Sequence, residues 1–382
     1  MAAIPFADLT AQHQSIAGEL EEAIRAVIRD CAFIRGPRVE QFEREFAAAI
    51  GANCCVSCAN GTDALFIIFK TLGLQPGDEV LTTAHSWIAT SETITLAGGT
   101  VVFCDTDPDT FTISPAEIER KITPRTKGIV PVHLFGHPAD MDAILAIAQR
   151  HGLWVVEDCA QAHLARYKGR TVGTFGCAAA FSFYPGKNLG AMGDAGAIVT
   201  RDEKMAERMA MFARHGGLRK GEHFIEGINS RMDGLQAAVL SVKLKHLDRW
   251  TQARRSLAAE YDRQLAGLPG IRPPKEAAGC EHVYHLYVIQ VEQGRDELQQ
   301  HLAGHGIQTN INYPVILPLV PAYARLGHRP GDFPVAHRHQ QQILSLPMYS
   351  EMTADMVATV ARSVREWADA GSPNTHAHPP RQ

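Results

Sequence analysis

Long apolar runs are missing from this 382-residue sequence. Its longest ones are interrupted by glycine or polar residues well short of bilayer-spanning length, which argues against a transmembrane protein. The opening MAAIPFADLTAQHQ has no basic stretch followed by an apolar one, so no secretory signal is read there. Cysteine is sparse: eight residues in a chain this long do not make a disulfide framework. Cys55 and Cys58 form a lone C-x-x-C with no second ligand pair, and buried thiols in a reducing compartment are the preferred reading over a metal or redox site. An excess of one charge is also lacking. With 37 Lys and Arg against 41 Asp and Glu, the net charge is -4, so no global basic field recruits nucleic acid or membrane. A phosphate-bearing ligand would need a local site. The expected setting is the cytoplasm.

Two familiar phosphate motifs are absent as well. No G-x-x-x-x-G-K-[ST] occurs, and no G-x-G-x-x-G lies between a strand and a helix, so P-loop and dinucleotide enzymes have little support.

What is present reads as α/β. Apolar runs at Cys54–Cys58, Glu79–Thr82, Thr100–Cys104, Gly128–His133, Leu153–Glu157, Ala178–Phe183 and Ala195–Thr200 are the candidate strands. They are apolar throughout rather than alternating, as in strands covered on both faces. Between them, Thr62–Leu72, Pro115–Ile122 and Asp140–His151 read as helices. Repeated strand–helix–strand order predicts a mainly parallel sheet. Arg231–Leu268 reads as one long helical region. Beyond it, His285–Val291 and Gln308–Tyr313 read as strands, and Arg295–His305 and Met352–Trp367 as helices. The expected division is a large α/β domain over 1–250, a smaller α+β domain over 251–370, and a polar, Pro-rich tail over 371–382 expected to be disordered.

Four segments carry the chemistry. In Ser57-Cys58-Ala59-Asn60-Gly61-Thr62-Asp63 a strand runs into Asn-Gly and a helix begins at once, offering free N–H groups and the positive end of a dipole to a phosphate, with the Thr62 hydroxyl as a further donor. A plain strand-to-helix turn is the alternative. In Trp154-Val155-Val156-Glu157-Asp158-Cys159-Ala160-Gln161 an apolar strand ends in an acidic pair, at the edge where open α/β sheets place ligand-facing groups. A carboxylate there can keep a ring nitrogen protonated, as a pyridoxal electron sink requires; Asp158 could equally be a helix N-cap. In Ser182-Phe183-Tyr184-Pro185-Gly186-Lys187-Asn188-Leu189-Gly190 a lysine follows an apolar strand among glycines. Partial burial would lower its pKa and favour the neutral, imine-forming amine, although most loop lysines are simply solvated. Gly227-Ile228-Asn229-Ser230-Arg231-Met232-Asp233, read alone, is a helix start.

In this order, NGTDAL, EDCAQAH, FSFYPGKNLGAMGDAG and INSRMDGLQAA resemble the DegT/DnrJ/EryC1/StrS family of pyridoxal-phosphate-dependent sugar aminotransferases, from IPFADL to SLPM at Ser345–Met348. The nearest branch acts on nucleotide-linked 3-keto sugars. The resemblance implies a fold-type I transferase with a seven-stranded sheet. It also implies pyridoxal 5′-phosphate as cofactor and Lys187 as the lysine that holds it as a Schiff base and moves the proton. Asp158 matches the partner of the pyridine nitrogen and Gln161 the residue near the ring hydroxyl. Gly61, Thr62 and Ser182 match the phosphate cup, and Trp87 an aromatic over the ring. Asn229 matches a phosphate ligand from the neighbouring subunit, implying a homodimer with shared active sites. Arg231 and Tyr313 are softer candidates for substrate contacts. Cys159 stands where many relatives carry Ala and is a candidate for the cofactor's edge. No metal is implied. The implied reaction moves an amino group from an amino acid, L-glutamate by resemblance, to a keto-sugar. A 4-keto sugar, a keto-cyclitol and a non-catalytic cofactor-binding regulator are the alternatives. Dehydratases on this fold replace the lysine, which is present here.

Overall fold

The computed structural model describes residues 3–371. Seven strands build its main sheet: β1 Cys54–Cys58, β2 Glu79–Thr83, β3 Thr100–Cys104, β4 Thr126–Val130, β5 Trp154–Asp158, β6 Ala178–Ser182 and β7 Gly196–Thr200. Their spatial order is β1-β7-β6-β5-β4-β2-β3. Only β7 runs antiparallel to its neighbours β1 and β6; every other pairing is parallel. Strands β2 and β7 are buried at every position, because helices cover both faces of the sheet; β7 is accordingly apolar up to Thr200, whereas β2 buries Glu79, Thr82 and Thr83 as well. The expected helices appear as Gly61–Leu72, Pro115–Lys121 and Met141–His151. Asn60 and Asp140 cap the first and last by accepting the N–H groups of Asp63 and Ala143. No helix among the described residues is long and apolar enough to cross a membrane.

Several expectations need correcting. Strand β4 ends at Val130 rather than His133, because Pro131 has no N–H to continue the ladder and a 3-10 turn, Leu134–Gly136, follows. The region Arg231–Leu268 is two helices, Gly234–Leu244 and Leu247–Leu265. The first packs on the N-terminal helices Ala17–Asp30 and Pro37–Ile50, the second on the C-terminal helix Ala354–Asp369. The chain must turn at Lys245 and His246 to serve both partners, and no glycine or proline announces the turn. Gln308–Tyr313 is not a ladder strand; it makes single bridges only, such as Asn310 with Ser345. The small antiparallel sheet instead joins Ile271–Arg272, Tyr287–Val291 and the unanticipated Ile343–Leu346.

The packing crosses residue 250 in both directions. Leu247 belongs to the core behind the large sheet, whereas Leu257, Tyr261 and Leu265 of the same helix belong to the core of the small one. Ile4 also joins the small core, while Ile316, Leu317, Tyr323 and Phe333 return to the large one. The tail expected over 371–382 lies, beyond Gly371, outside the described residues. Behind β6, Phe46 meets Phe181 and Phe183 edge-on at 5.1 Å, and Phe42 meets Phe183 at 5.4 Å. Burial of each ring is worth about 1.5–3 kcal/mol. This cluster anchors the strand that delivers the Lys187 loop to the edge of the sheet.

Candidate active site

The acidic pair ending β5 divides its labour. Successive side chains of a strand face opposite ways, and Glu157 and Asp158 do so here. Glu157, with 0% exposure, takes N–H groups from Gly173 at 2.7 Å, Phe175 at 2.7 Å and Gly176 at 2.8 Å. His133 completes the set. Its Nδ1 accepts the Ala139 N–H at 3.0 Å, so its Nε2 carries the proton and donates to Glu157 at 3.1 Å. These two residues and Cys159 come within 4.8 Å of one another, but the His133 and Glu157 acceptors are already engaged, so the cluster is an internal fastening rather than a metal site. Cys159 packs in the apolar core with Phe42 and Phe183, not at a cofactor's edge. Glu157→Ala would strand one buried and two part-buried N–H groups, at about 1–3 kcal/mol for each that water cannot reach. A fall of about 3 kcal/mol or more in unfolding free energy is expected from denaturant titration.

Asp158 faces the other way, into the site. Its Oδ2 accepts the Thr90 hydroxyl at 2.8 Å and its Oδ1 the Ala160 N–H at 3.1 Å. Burial pushes its carboxyl up; these two hydrogen bonds, and then the nearby Lys187 charge, oppose the shift. Lys187 is its electrostatic counterpart. Burial brings the Lys187 amine down to about 8, and Asp158 acts in the opposite sense. A buried carboxylate and a half-buried amine that is easily deprotonated therefore lie within electrostatic reach of each other.

The Lys187 loop leaves β6 at Ser182. There Gly61, first residue of its helix, packs so closely that a Cβ on it would lie 2.7 Å from the Ser182 Cβ. Backbone and hydroxyl thus converge as in a phosphate cup. Asn60 uses its side chain on the Asp63 N–H at 2.8 Å, which leaves those of Gly61 and Thr62, without intrahelical acceptors, for a ligand. On the far side Gln161 accepts the Phe135 N–H at 2.6 Å and donates to the Tyr313 hydroxyl at 3.0 Å. Tyr313 also gives its N–H to His85 Nε2 at 3.0 Å. Trp87 is 60% exposed, with its ring 5.5 Å from that of Tyr313. The structure thus sets Lys187 within electrostatic reach of Asp158, links Gln161 to Tyr313 and Tyr313 to Trp87, and packs Gly61 against Ser182.

Asn229 and Arg231 are not members of this hydrogen-bonded group. Asn229 is exposed and Arg231 half-buried. Between them, buried Ser230 accepts the Ala59 N–H at 3.1 Å and donates to Asp63 at 2.7 Å, fixing the Asn229 segment beside the Asn60-Gly61 turn. Ser230, Thr90 and His85 were not singled out from the sequence. Their roles arise across 171, 68 and 228 residues of chain, and no local pattern marks such distant pairs.

The residues suit pyridoxal phosphate: a close glycine–serine approach at a helix start for the phosphate, a buried carboxylate for a cationic ring nitrogen, and an amine made nucleophilic by burial. Comparison with known proteins agrees. The chain matches the DegT/DnrJ/EryC1/StrS aminotransferase family over residues 14–365. It is 45% identical over 366 residues to the dTDP-3-amino-3,4,6-trideoxy-alpha-D-glucose transaminase of Streptomyces venezuelae, covering 96% of each chain. It is equally 45% identical over 366 residues to a pleiotropic regulatory protein of Geobacillus stearothermophilus, covering 95% of this chain and 98% of the other. The crystal structure of S. venezuelae DesV in complex with a ketimine intermediate superposes with a TM-score of 0.95 at 45% identity, over 97% of this chain and 99% of that one. Fold, site and relatives converge, and the chain belongs to the DegT/DnrJ/EryC1/StrS family as a pyridoxal-phosphate-dependent aminotransferase of fold type I.

Proposed function

We propose that the protein moves an amino group from an amino acid, with L-glutamate as donor, to a nucleotide-linked 3-keto sugar in amino-sugar biosynthesis. What carries the chemistry is the half-buried Lys187 placed within electrostatic reach of the buried Asp158 carboxylate, its amine brought down to about 8. The sugar assignment is supported by the relatives, among them transaminases named for dTDP-linked 3-amino sugars and an aminotransferase named for a UDP-linked 3-oxo sugar acid. Bound pyridoxal phosphate supplies an electron sink for the carbon that loses its proton. The chain's residues do the rest. Asp158 presents negative charge to the ring nitrogen and Lys187 moves the proton. Gly61, Thr62 and Ser182 hold the phosphate, Gln161 addresses the ring hydroxyl, and Trp87 covers the ring face. Tyr313 and Arg231 contact substrate; Arg231 suits a carboxylate or phosphate because its planar fork binds bidentately. The exposed Asn229 serves the site of a second subunit, which makes the working unit a homodimer. Neither nucleic acid nor membrane takes part, and the cytoplasm is the proposed setting, resting on the cysteine usage.

A panel of amino compounds tests this reading through the visible absorbance of the bound cofactor. Nucleotide-linked 3-amino sugars should convert the cofactor in the reverse half-reaction, and L-glutamate in the forward one. Conversion only by 4-amino sugars or amino-cyclitols would move the assignment to those substrates. Cofactor retention with no response to glutamate or to any amino sugar would mark a regulator and refute the proposal.

A further inference from the structure

We propose that Lys243 and Gln236, one face of the helix Gly234–Leu244, act as positioning residues that brace the return leg of the Lys187 loop and so hold the reacting amine in place. Lysine is almost never fully buried without a paired acid, yet Lys243 has 0% exposure. No carboxylate among the described residues forms an ion pair with it, and Glu351 acts on it only through a more distant charge. Its Nζ instead lies 2.7 Å from the carbonyl of Gly190 and 2.8 Å from Nε2 of His13. Burial foremost, and then the Lys243 charge, keep the His13 imidazole neutral, so its Nε2 accepts. An ammonium buried for one carbonyl and one imidazole is a costly device for stability alone.

What it holds is the far end of the Lys187 loop. At Gly190 the chain passes so near its own start that a Cβ would lie 2.2 Å from the Pro185 carbonyl oxygen. Inside this closed loop the Lys187 N–H donates to Tyr184 at 2.8 Å, and just past it the Ala191 N–H donates to Phe183 at 2.7 Å. One residue further, the Gln236 side chain accepts the Met192 N–H at 2.8 Å and donates to the Met192 carbonyl at 3.2 Å. Positions 236 and 243 are seven apart, two helical turns, so both side chains leave the helix on the same side. Asn188 closes the remaining side by donating to the Val283 carbonyl at 3.1 Å. Lys187 is thus the free side chain of a loop whose backbone is fastened on both legs. His13 extends the fastening to the N-terminal helix Leu9–Ser15. An amine that moves a proton gains from a fixed base, and a displacement of about 1 Å can cost on the order of 100-fold in rate.

Replacing the ammonium by an isosteric apolar chain, Lys243→Met, leaves the Gly190 carbonyl unfastened. In the holoenzyme kcat for the glutamate half-reaction should fall about 10–100-fold with KM little changed. In cofactor-free protein the backbone amides of Tyr184–Asp194 should exchange hydrogen faster than in the unmodified chain. Leu265→Ala, a cavity in the small core far from the loop, serves as a control for lost stability and should keep kcat. A folded K243M with unchanged kcat, or with a loss that L265A reproduces, would overturn the proposal. Should K243M fail to fold, the more exposed Gln236→Ala reads the same brace with a smaller effect, and unaltered loop exchange and kcat in that variant would overturn it too. The kcat arm rests on the aminotransferase reading; the exchange arm does not. Faster exchange without any measurable half-reaction in the unmodified protein would therefore fault the function and not the brace.

Discussion

Lys187→Ala is expected to abolish the visible band of the lysine-linked cofactor and to lower transamination by at least about 1000-fold, since a positioned acid–base group alone contributes about 10²–10⁴-fold and the covalent link is lost with it. The same substitution should leave the cofactor-free chain no less stable, and the pH dependence shows why. The folded-state pKa of Lys187 is about 8, below its ordinary 10.5, so between these values the unfolded chain binds more protons than the native one. Stability therefore rises with pH across that window, and below pH 8 the native chain carries the full penalty of enclosing a cation. K187A removes this contribution. Denaturant midpoints of cofactor-free protein should thus show a weaker rise between about pH 8 and 10.5 in the variant. A variant that kept the band and the turnover would displace Lys187 from the role assigned to it.

Asp158→Asn should produce the second large loss. Removing one preorganised electrostatic group from a reacting centre costs about 10²–10³-fold in rate. The cofactor-free protein should respond in the opposite sense. Burial raises the Asp158 pKa above 3.8, so the native state binds the extra proton, and its stability falls as pH climbs from 3.8 through the raised value. At neutral pH the ionised carboxylate is a liability of the empty fold, and D158N should melt at the same temperature or higher while turnover collapses. Its neighbour gives the contrast: E157A loses stability because Glu157 fastens three backbone N–H groups. Calorimetry and single-turnover absorbance on the two variants separate the roles that adjacent carboxylates take on one strand. A D158N enzyme with near-normal turnover would show that no ring nitrogen depends on this carboxylate.

How much of this was legible in the chain depends on how local each feature is. The sheet strands were, because burial on both faces leaves mainly apolar runs, as at Ala178–Ser182 and Gly196–Thr200. The helix start at Asn60 was, because a cap acts within one turn. The two-helix break at Lys245 was not; helical periodicity continues through it, and the turn is imposed by packing partners on two different cores. Nor was the strand Ile343–Leu346, whose four residues are too short to signal.

By itself the sequence determined the order of elements, the absence of long apolar and strongly basic stretches, and the ordered motifs around Gly61, Asp158 and Lys187 that mark the family. Tertiary structure alone decided which of Glu157 and Asp158 faces the site, that Thr90 and Ala160 rather than a salt bridge support Asp158, and that Gln161 meets Tyr313. It also decided that Cys159 belongs to the core and that a buried Lys243 donates to Gly190 at the end of the Lys187 loop. The physical reason is the same throughout. Propensity and capping act within a few residues, whereas burial and the shifts of pKa it causes depend on groups that meet only after the chain has closed on itself.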